Sequence, residues 1–291
     1  MNDEPDFCFS KLCIVGGKGR MGRWFEKLFR QAGMNIVISD TQETPLSQEL
    51  IASCDIVVLA VPITAVEPVM KAMGPFIKQD ALLMDISSVK KKPIDLMLKY
   101  SQSEVIGSHP LFGPSADSLS GQLFFICPSR AKRWLNPLKN FLKGCGAELV
   151  EIDPDQHDRL MACFQTLRHM MLTALGRSLF RMGYYSQSET RLAGVWFNQL
   201  LAILERQALQ PADLYADIAI ENPYSVETLM VFQDIMGSLI DSVKIRDRNA
   251  LIENMVEAGR CCQPRPLREQ PLEMRDSKGY SDGHGSQQEQ D

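Results

Sequence analysis

The chain lacks several things, and each absence removes a class of protein. No uninterrupted apolar run approaches the ~20 residues that cross a bilayer. Neither sign of charge dominates: 31 basic and 36 acidic side chains leave a net charge of -5. That balance gives no electrostatic footprint for nucleic acid or an anionic membrane. The first residues, MNDEPDFCFS, lack the basic and apolar regions of a signal peptide. The eight cysteines form no C-x-x-C pair, and none has a histidine at metal-ligand spacing. Most sit in apolar runs such as CIVGG and LMACF, where a free thiol behaves as a small hydrophobe. No internal repeat is present. The expectation is a cytoplasmic protein that binds neither nucleic acid, membrane nor metal.

What remains is an ordinary globular composition, 45% hydrophobic and 23% charged over 291 residues. At roughly 100–200 residues per domain this suggests about two domains. From residue 11 to 153 short apolar runs alternate with helical patterns. LCIVG (12–16), NIVISD (35–40), DIVVLAV (55–61), ALLMDI (81–86), EVIGS (104–108), LFFIC (123–127) and AELVEI (147–152) read as strands. The first three are nearly continuous in apolar residues, as strands buried on both faces of a parallel sheet are. Segments 20–33 and 131–146 read as helices between them. The pattern predicts an α/β fold with a Rossmann-type doubly wound sheet over 11–153, after an N-terminal extension at 1–10. After Pro154 nothing reads as a strand, and an all-helical C-terminal domain is expected over 154–262, with breaks near Gly183–Tyr185 and at 221–223. Leu160, Phe164, Leu167, Met171 and Leu175 recur at helical spacing as its apolar face. Segment 263–291 holds only Leu267, Leu272, Met274 and Tyr280 as apolar or aromatic residues, too few to offset its ordering entropy, so a disordered tail is expected.

GGKGRMG (16–22) follows the first strand and opens a helix, with Gly17, Gly19 and Gly22 in G-x-G-x-x-G spacing. The first glycine allows the turn, the second a close approach to a pyrophosphate, and the third tight helix–strand packing. Amides at the helix N-terminus, around Arg20 and Met21, then face the phosphate charge. Asp40 ends the second strand 18 residues after Gly22, where a carboxylate accepts the ribose hydroxyls of an adenosine and repels a 2′-phosphate. The cofactor expected is NAD, although Arg20 and Lys18 leave a phosphate tolerable.

With that loop in place, AVPI (60–63), SSVK (87–90), GSHPLFGP (107–114), HD (157–158), LRH (167–169) and LYADI (214–218) resemble the prephenate dehydrogenases of tyrosine biosynthesis. The resemblance runs from about residue 11 to 258. It is nearest to the dehydrogenase half of bifunctional chorismate mutase–prephenate dehydrogenases, without the mutase domain, so no mutase activity is expected. One departure is Thr166, at a place where some members of that family carry a second histidine. The resemblance implies NAD-dependent oxidative decarboxylation of a cyclohexadienyl substrate, prephenate to 4-hydroxyphenylpyruvate, and a homodimer formed through the helical domain. It implies that Val61 and Pro62 join the cofactor site. It makes His109 the acceptor of the C4-hydroxyl proton and gives Ser88, with Ser87 as its competitor, a hydrogen bond beside it. His169 and Arg206 become substrate-binding residues, with Arg168 assisting.

The residues themselves bear on those roles. Pro110 disfavours a helical conformation at His109, which places it on a loop above the carboxyl edge of the sheet. His169 shares a helical stripe with Gln165, Thr166, Leu172 and Thr173, apart from the apolar face, and is expected to look toward a cleft. Arg206 has no acidic residue at i±3 or i±4, so a helical ion pair does not occupy it, and its planar guanidinium suits a carboxylate. His157 and Asp158 read equally as cap, packing or chemistry. Lys90, Lys91 and Lys92 read as a solvated helix start, and Met161, Met170 and Met171 as core or dimer seam. Arogenate and 4-amino-4-deoxyprephenate present the same ring with amino groups and stay open as substrates. A β-hydroxyacid dehydrogenase would need a catalytic lysine that 155–176 does not offer. A non-catalytic NAD-binding sensor module on the same fold is the reading from another class.

Overall fold

The computed structural model describes residues 7, 8, 10–40, 47–184 and 194–261. The expected disordered tail, Cys262, Tyr185 and most of the N-terminal extension lie outside the described residues. Strands β1 (Lys11–Val15), β2 (Asn35–Ser39), β3 (Ile56–Leu59), β4 (Leu82–Asp85), β5 (Glu104–Pro110), β6 (Leu123–Arg130) and β7 (Glu148–Glu151) form one sheet ordered β2-β1-β3-β4-β5-β6-β7. The strands alternate with helices α1 (Arg20–Gln31), α2 (Gln48–Ala52), α3 (Val66–Met73), α4 (Lys91–Tyr100) and α5 (Leu135–Gly144). The apolar runs explain the two layers. In β1, Leu12 and Ile14 pack on one side with Phe25 and Phe29 of α1 and Leu138 of α5. Cys13 and Val15 pack on the other with Val66 and Met70 of α3 and Met97 of α4. Because a strand alternates its side chains, a run that must fill both layers has to be apolar throughout.

The sheet departs from parallel pairing at one place. β6 runs antiparallel to β5, and β7 lies parallel to β6. The chain returns from β5 through residues 111–122, which contain no helix to make a parallel crossover. That reversal also corrects the expected setting of His109. It is not on a loop but inside β5, because β6 supplies a partner as far as Pro110, with His109 opposite Phe125.

Beyond Asp153 every described element is helical: α6 (Pro154–Met161), a π-helical turn over Ala162–Leu167, α7 (Arg168–Arg181), α8 (Gly194–Ala208), α9 (Ala212–Glu221), α10 (Ser225–Lys244) and α11 (Arg248–Arg260). The Asp153 side chain starts α6 by accepting from Asp155 N (2.8 Å) and Gln156 N (3.2 Å), with Pro154 at the first helical position. The expected break at 221–223 falls between α9 and α10. The chain divides into two compact units, Met1–Gln233 and Asp234–Asp291. The sheet and the helices through α9 belong to the first, and α11 to the second.

Two readings of the helical face need correction. Phe164 and Met171, read as members of the apolar face, are exposed, which removes the core reading of Met171 and not its dimer-seam alternative, whereas Gln165, Thr166, His169 and Leu172 are buried. Cys163 is exposed with them, whereas Cys13, Cys54 and Cys127 are buried. Lys90 is not solvated either. Its side chain is fully buried, and its ammonium donates to Asp85 Oδ2 and to the carbonyl of Ser108 at 2.6 Å. Asp85 also accepts from Ser87 N (3.0 Å) and Ser108 N (3.3 Å). The pair therefore clamps the carboxyl ends of β4 and β5, and only Lys91 and Lys92 face outward.

A buried charge left without its partner is costly. Lys90→Met is expected to lower the unfolding free energy in urea by about 3–5 kcal/mol, while Lys91→Met stays within about 0.5 kcal/mol of the parent. Equal effects at the two positions would contradict the clamp.

Candidate active site

The carboxyl ends of β1, β3, β4 and β5 open into a cleft of about 720 Å³. Of the residues singled out from the sequence, Gly19, Arg20, Met21, Val61, Pro62, Ser88, His109, Arg168 and Arg206 line it. Gly17, Gly22, Asp40 and His169 do not. Ser87 lines it with Ser88, as do Phe112, Gly113 and Pro114 of the connection after β5 and Tyr215, Asp213 and Asp217 of α9. That connection is held against α1 by Trp24 Nε1, which donates to the Ala116 carbonyl at 2.6 Å.

The glycine loop shows the local logic. Gly16, which the G-x-G-x-x-G reading passed over, takes a φ of 80°, and a Cβ there would lie 2.6 Å from the Ala60 carbonyl oxygen. It makes the turn assigned from sequence to Gly17. Gly22 packs α1 onto the loop, since a Cβ would come within 2.5 Å of the Gly16 oxygen. Gly19 is the N-cap of α1, with no side-chain cap and no acid in the first turn. The helix therefore presents bare N–H groups and positive partial charge to the cleft. Asp40 Oδ2 accepts from Lys18 N at 3.2 Å, which sets the carboxylate against the loop. A helix end without a cap, a loop with no side chain in the way, and an acid beside them fit a dinucleotide.

His109 stands at the other side of the cleft, 2% exposed. Its Nδ1 is 2.9 Å from His157 Nε2, and its Nε2 is 3.4 Å from Gln165 Nε2. Its pKa is pushed well below the usual value by burial first, then by His157 and by Lys90. His157 is also held low, burial outweighing its bond to Asp158. Asp158 caps α4 rather than the helix it lies in, which Asp153 caps, accepting from Lys90 N (2.7 Å) and Lys91 N (2.9 Å).

His169 lies behind Arg168, its ring 4.0 Å from that of Tyr215. Its Nε2 accepts from Arg168 Nη2 at 2.7 Å, and its Nδ1 is buried without a hydrogen-bond partner. Burial, and then the Arg168 charge, lower its pKa to about 4. Among the described residues neither Arg168 nor Arg206 enters an ion pair with an acid. Gln165 was visible only as a polar member of the His169 stripe. The link from His157 to His109 left no local signal, since 48 residues separate the two.

The fold and site define a nucleotide-binding α/β protein with a neutral imidazole and two arginines over the carboxyl edge of its sheet. Residues 21–151 match the family model described as prephenate dehydrogenase, nucleotide-binding domain, and 153–257 that described as prephenate dehydrogenase, dimerization domain. The chain is 31% identical over 268 residues to a probable arogenate/prephenate dehydrogenase of Methanocaldococcus jannaschii, covering 86% of this chain and 60% of that one. It is 31% identical over 256 residues to the T-protein of Enterobacter agglomerans, covering 86% and 68%. The first of these relatives is thus matched over less than two thirds of its length. The crystal structure of Aquifex aeolicus prephenate dehydrogenase with hydroxyphenyl propionate and NAD+ superimposes with a TM-score of 0.69 at 21% identity, over 87% of this chain and 97% of that one. The chain belongs to the prephenate dehydrogenase family.

The three buried imidazoles make stability depend on pH. Their folded pKa values lie below the unfolded value of about 6.5, so the unfolded chain takes up protons first as pH falls. Stability is complete above about pH 6.5 and declines below it by up to about 1.4 kcal/mol per pH unit for each imidazole. The share due to His169 is fully lost near pH 4. Urea unfolding followed from neutral pH to about pH 5 measures the slope; a flat profile would mean that these rings protonate freely in the fold.

Proposed function

We propose that the chain catalyses NAD-dependent oxidative decarboxylation of prephenate to 4-hydroxyphenylpyruvate. The observation that carries this reading is the opposition, across one cleft, of the uncapped α1 N-terminus and a buried neutral His109. Gly19 and the first amides of α1 hold the pyrophosphate, Asp40 accepts the adenosine ribose hydroxyls, and Val61 and Pro62 form the adjoining wall. Bound NAD supplies the hydride acceptor for ring C4. His109 takes the C4-hydroxyl proton at Nε2, a task that needs the ring neutral, and burial keeps it so. Ser88 sits beside the reacting hydroxyl. Arg206 and Arg168 face the two substrate carboxylates, and His169 holds the Arg168 guanidinium in place. Loss of the C1 carboxylate as CO₂ makes the ring aromatic and the step effectively irreversible. A second copy covers the exposed helical surface, giving a homodimer.

Purified protein is to be mixed with NAD and, in turn, prephenate, arogenate and 4-amino-4-deoxyprephenate, and NADH absorbance followed. The highest initial rate is expected with prephenate. Cofactor binding without NADH from any of the three would favour a binding module instead. His109→Asn should reduce turnover by about 10²–10⁴-fold, with NAD affinity retained in a separate titration. Arg206→Gln should act mainly on KM, since it removes a charge-assisted grip on the substrate rather than the proton acceptor.

A further inference from the structure

His109 does not stand alone in its pocket. His157 Nε2 lies 2.9 Å from its Nδ1, and His157 Nδ1 lies 2.8 Å from Asp158 Oδ1. All three side chains are buried, His157 and Asp158 completely. Asp158 also accepts the backbone N–H of Lys90 at Oδ1 and that of Lys91 at Oδ2. Both oxygens are thus acceptors, and a carboxylate has no proton to give. The directions of the remaining bonds follow. His157 must donate from Nδ1, so in its neutral form the lone pair is on Nε2. That lone pair can only accept from His109 Nδ1–H, which leaves the lone pair of His109 on Nε2. The Gln165 amide, 3.4 Å from that nitrogen, is at the far limit of a hydrogen bond and leaves the choice to the relay.

We propose that His157 and Asp158 are positioning residues for His109: together they fix the tautomer in which Nε2 is free to take a proton. The proposal rests on the reading of His109 as proton acceptor. Packing alone does not account for the arrangement. Capping of α4 explains Asp158, but it does not require a ring nitrogen of the next residue to meet His109 at hydrogen-bond distance. The same chain would stabilise the imidazolium that His109 becomes, by passing the influence of the Asp158 charge through one ring to the next. Lys90, whose charge acts on His109, is already committed to Asp85 and Ser108.

Two substitutions separate the two bonds of His157. In His157→Asn the amide lies near the place of Nδ1, keeping a donor for Asp158 and removing the acceptor from His109. In His157→Gln the amide oxygen reaches the place of Nε2 and restores that acceptor. Ring ¹⁵N shifts in the ligand-free protein, assigned against His109→Asn, report the tautomer. Wild type is expected to carry the proton of His109 on Nδ1, and His157→Asn to move it to Nε2. kcat should then fall by about 10²–10⁴-fold with KM changed less than about twofold. His157→Gln should recover about tenfold or more of the loss.

An Nε2–H form of His109 in the wild type would overturn the proposal. So would a His157→Asn protein with tautomer and kcat unchanged, or one for which the Gln variant gives no recovery. If wild type yields no NADH from any ring substrate, the functional reading fails, and the shifts alone decide the relay. Should the Asn variant not fold, the wild-type shifts and the Gln variant decide it.

Discussion

Asp158 accepts three hydrogen bonds at its two carboxylate oxygens, and the placement of the groups around it follows from that. The two backbone donors fix the first turn of α4 at the carboxyl edge of the sheet. The third donor orients His157 and, through it, His109. The carbonyl of Asp158 accepts in turn from Asn222 Nδ2 at 2.7 Å, which anchors the break between α9 and α10. A carboxylate fully out of water loses several kcal/mol of hydration. Charge-assisted bonds at both oxygens are what make such burial tolerable. One side chain thereby joins the start of the helical segment to the edge of the sheet where the chemistry is proposed.

A second buried charge sits next to the first. Asp85 and Lys90 neutralise each other beneath the cleft, and the ammonium reaches the carbonyl of Ser108, next to His109 in β5. With that cation committed and the three imidazoles held neutral by burial, positive charge at the cleft rests with Arg20, Arg168 and Arg206, opposite Asp213 and Asp217. Arg20 Nη1 donates to Gln210 Oε1 at 3.3 Å, a neutral partner that leaves its charge intact. A dianionic ligand would therefore meet three guanidinium groups, two of them held by hydrogen bonds, while His109, the proposed base, carries no charge. The three arginines are exposed whereas His109 is buried, so the charges sit at the rim of the cleft and the neutral ring at its floor.

What the sequence disclosed and what it withheld separate along physical lines. The strands of the sheet were legible because two buried layers demand unbroken apolar runs, and the glycine loop because a backbone approach tolerates no Cβ. The antiparallel β6 was not, since LFFIC has the same texture whichever way it runs; only the helix-free stretch 111–122 decides it. Nor was Lys90: within KKK nothing marks which lysine turns inward, and Asp85 selects it through the fold. His157 was ambiguous for the same reason. Its partner His109 is close in space and distant in sequence, and a histidine beside a helix start carries several meanings until that partner is seen.

The π-helical turn at Ala162–Leu167 and α7 carry this furthest. Helical periodicity separated an apolar stripe from a polar one, and the usual inference sends the apolar stripe inward. Here the polar stripe is inside: Gln165 and His169 are buried, while Phe164 is 56% and Met171 38% exposed. Periodicity reports that a face is apolar and says nothing of whether the cover comes from the same chain. Trp196 at the start of α8 is 87% exposed and poses the same question. A second copy over that surface, as proposed, would bury these side chains while leaving Gln165 to face His109 and His169 to face Arg168 and Tyr215. It would also restrain α7, and with it Arg168, whose guanidinium is set by His169 on the same helix. Dimerisation and substrate grip would then be two faces of one helix, which accounts for a polar interior and an apolar exterior in the same few turns.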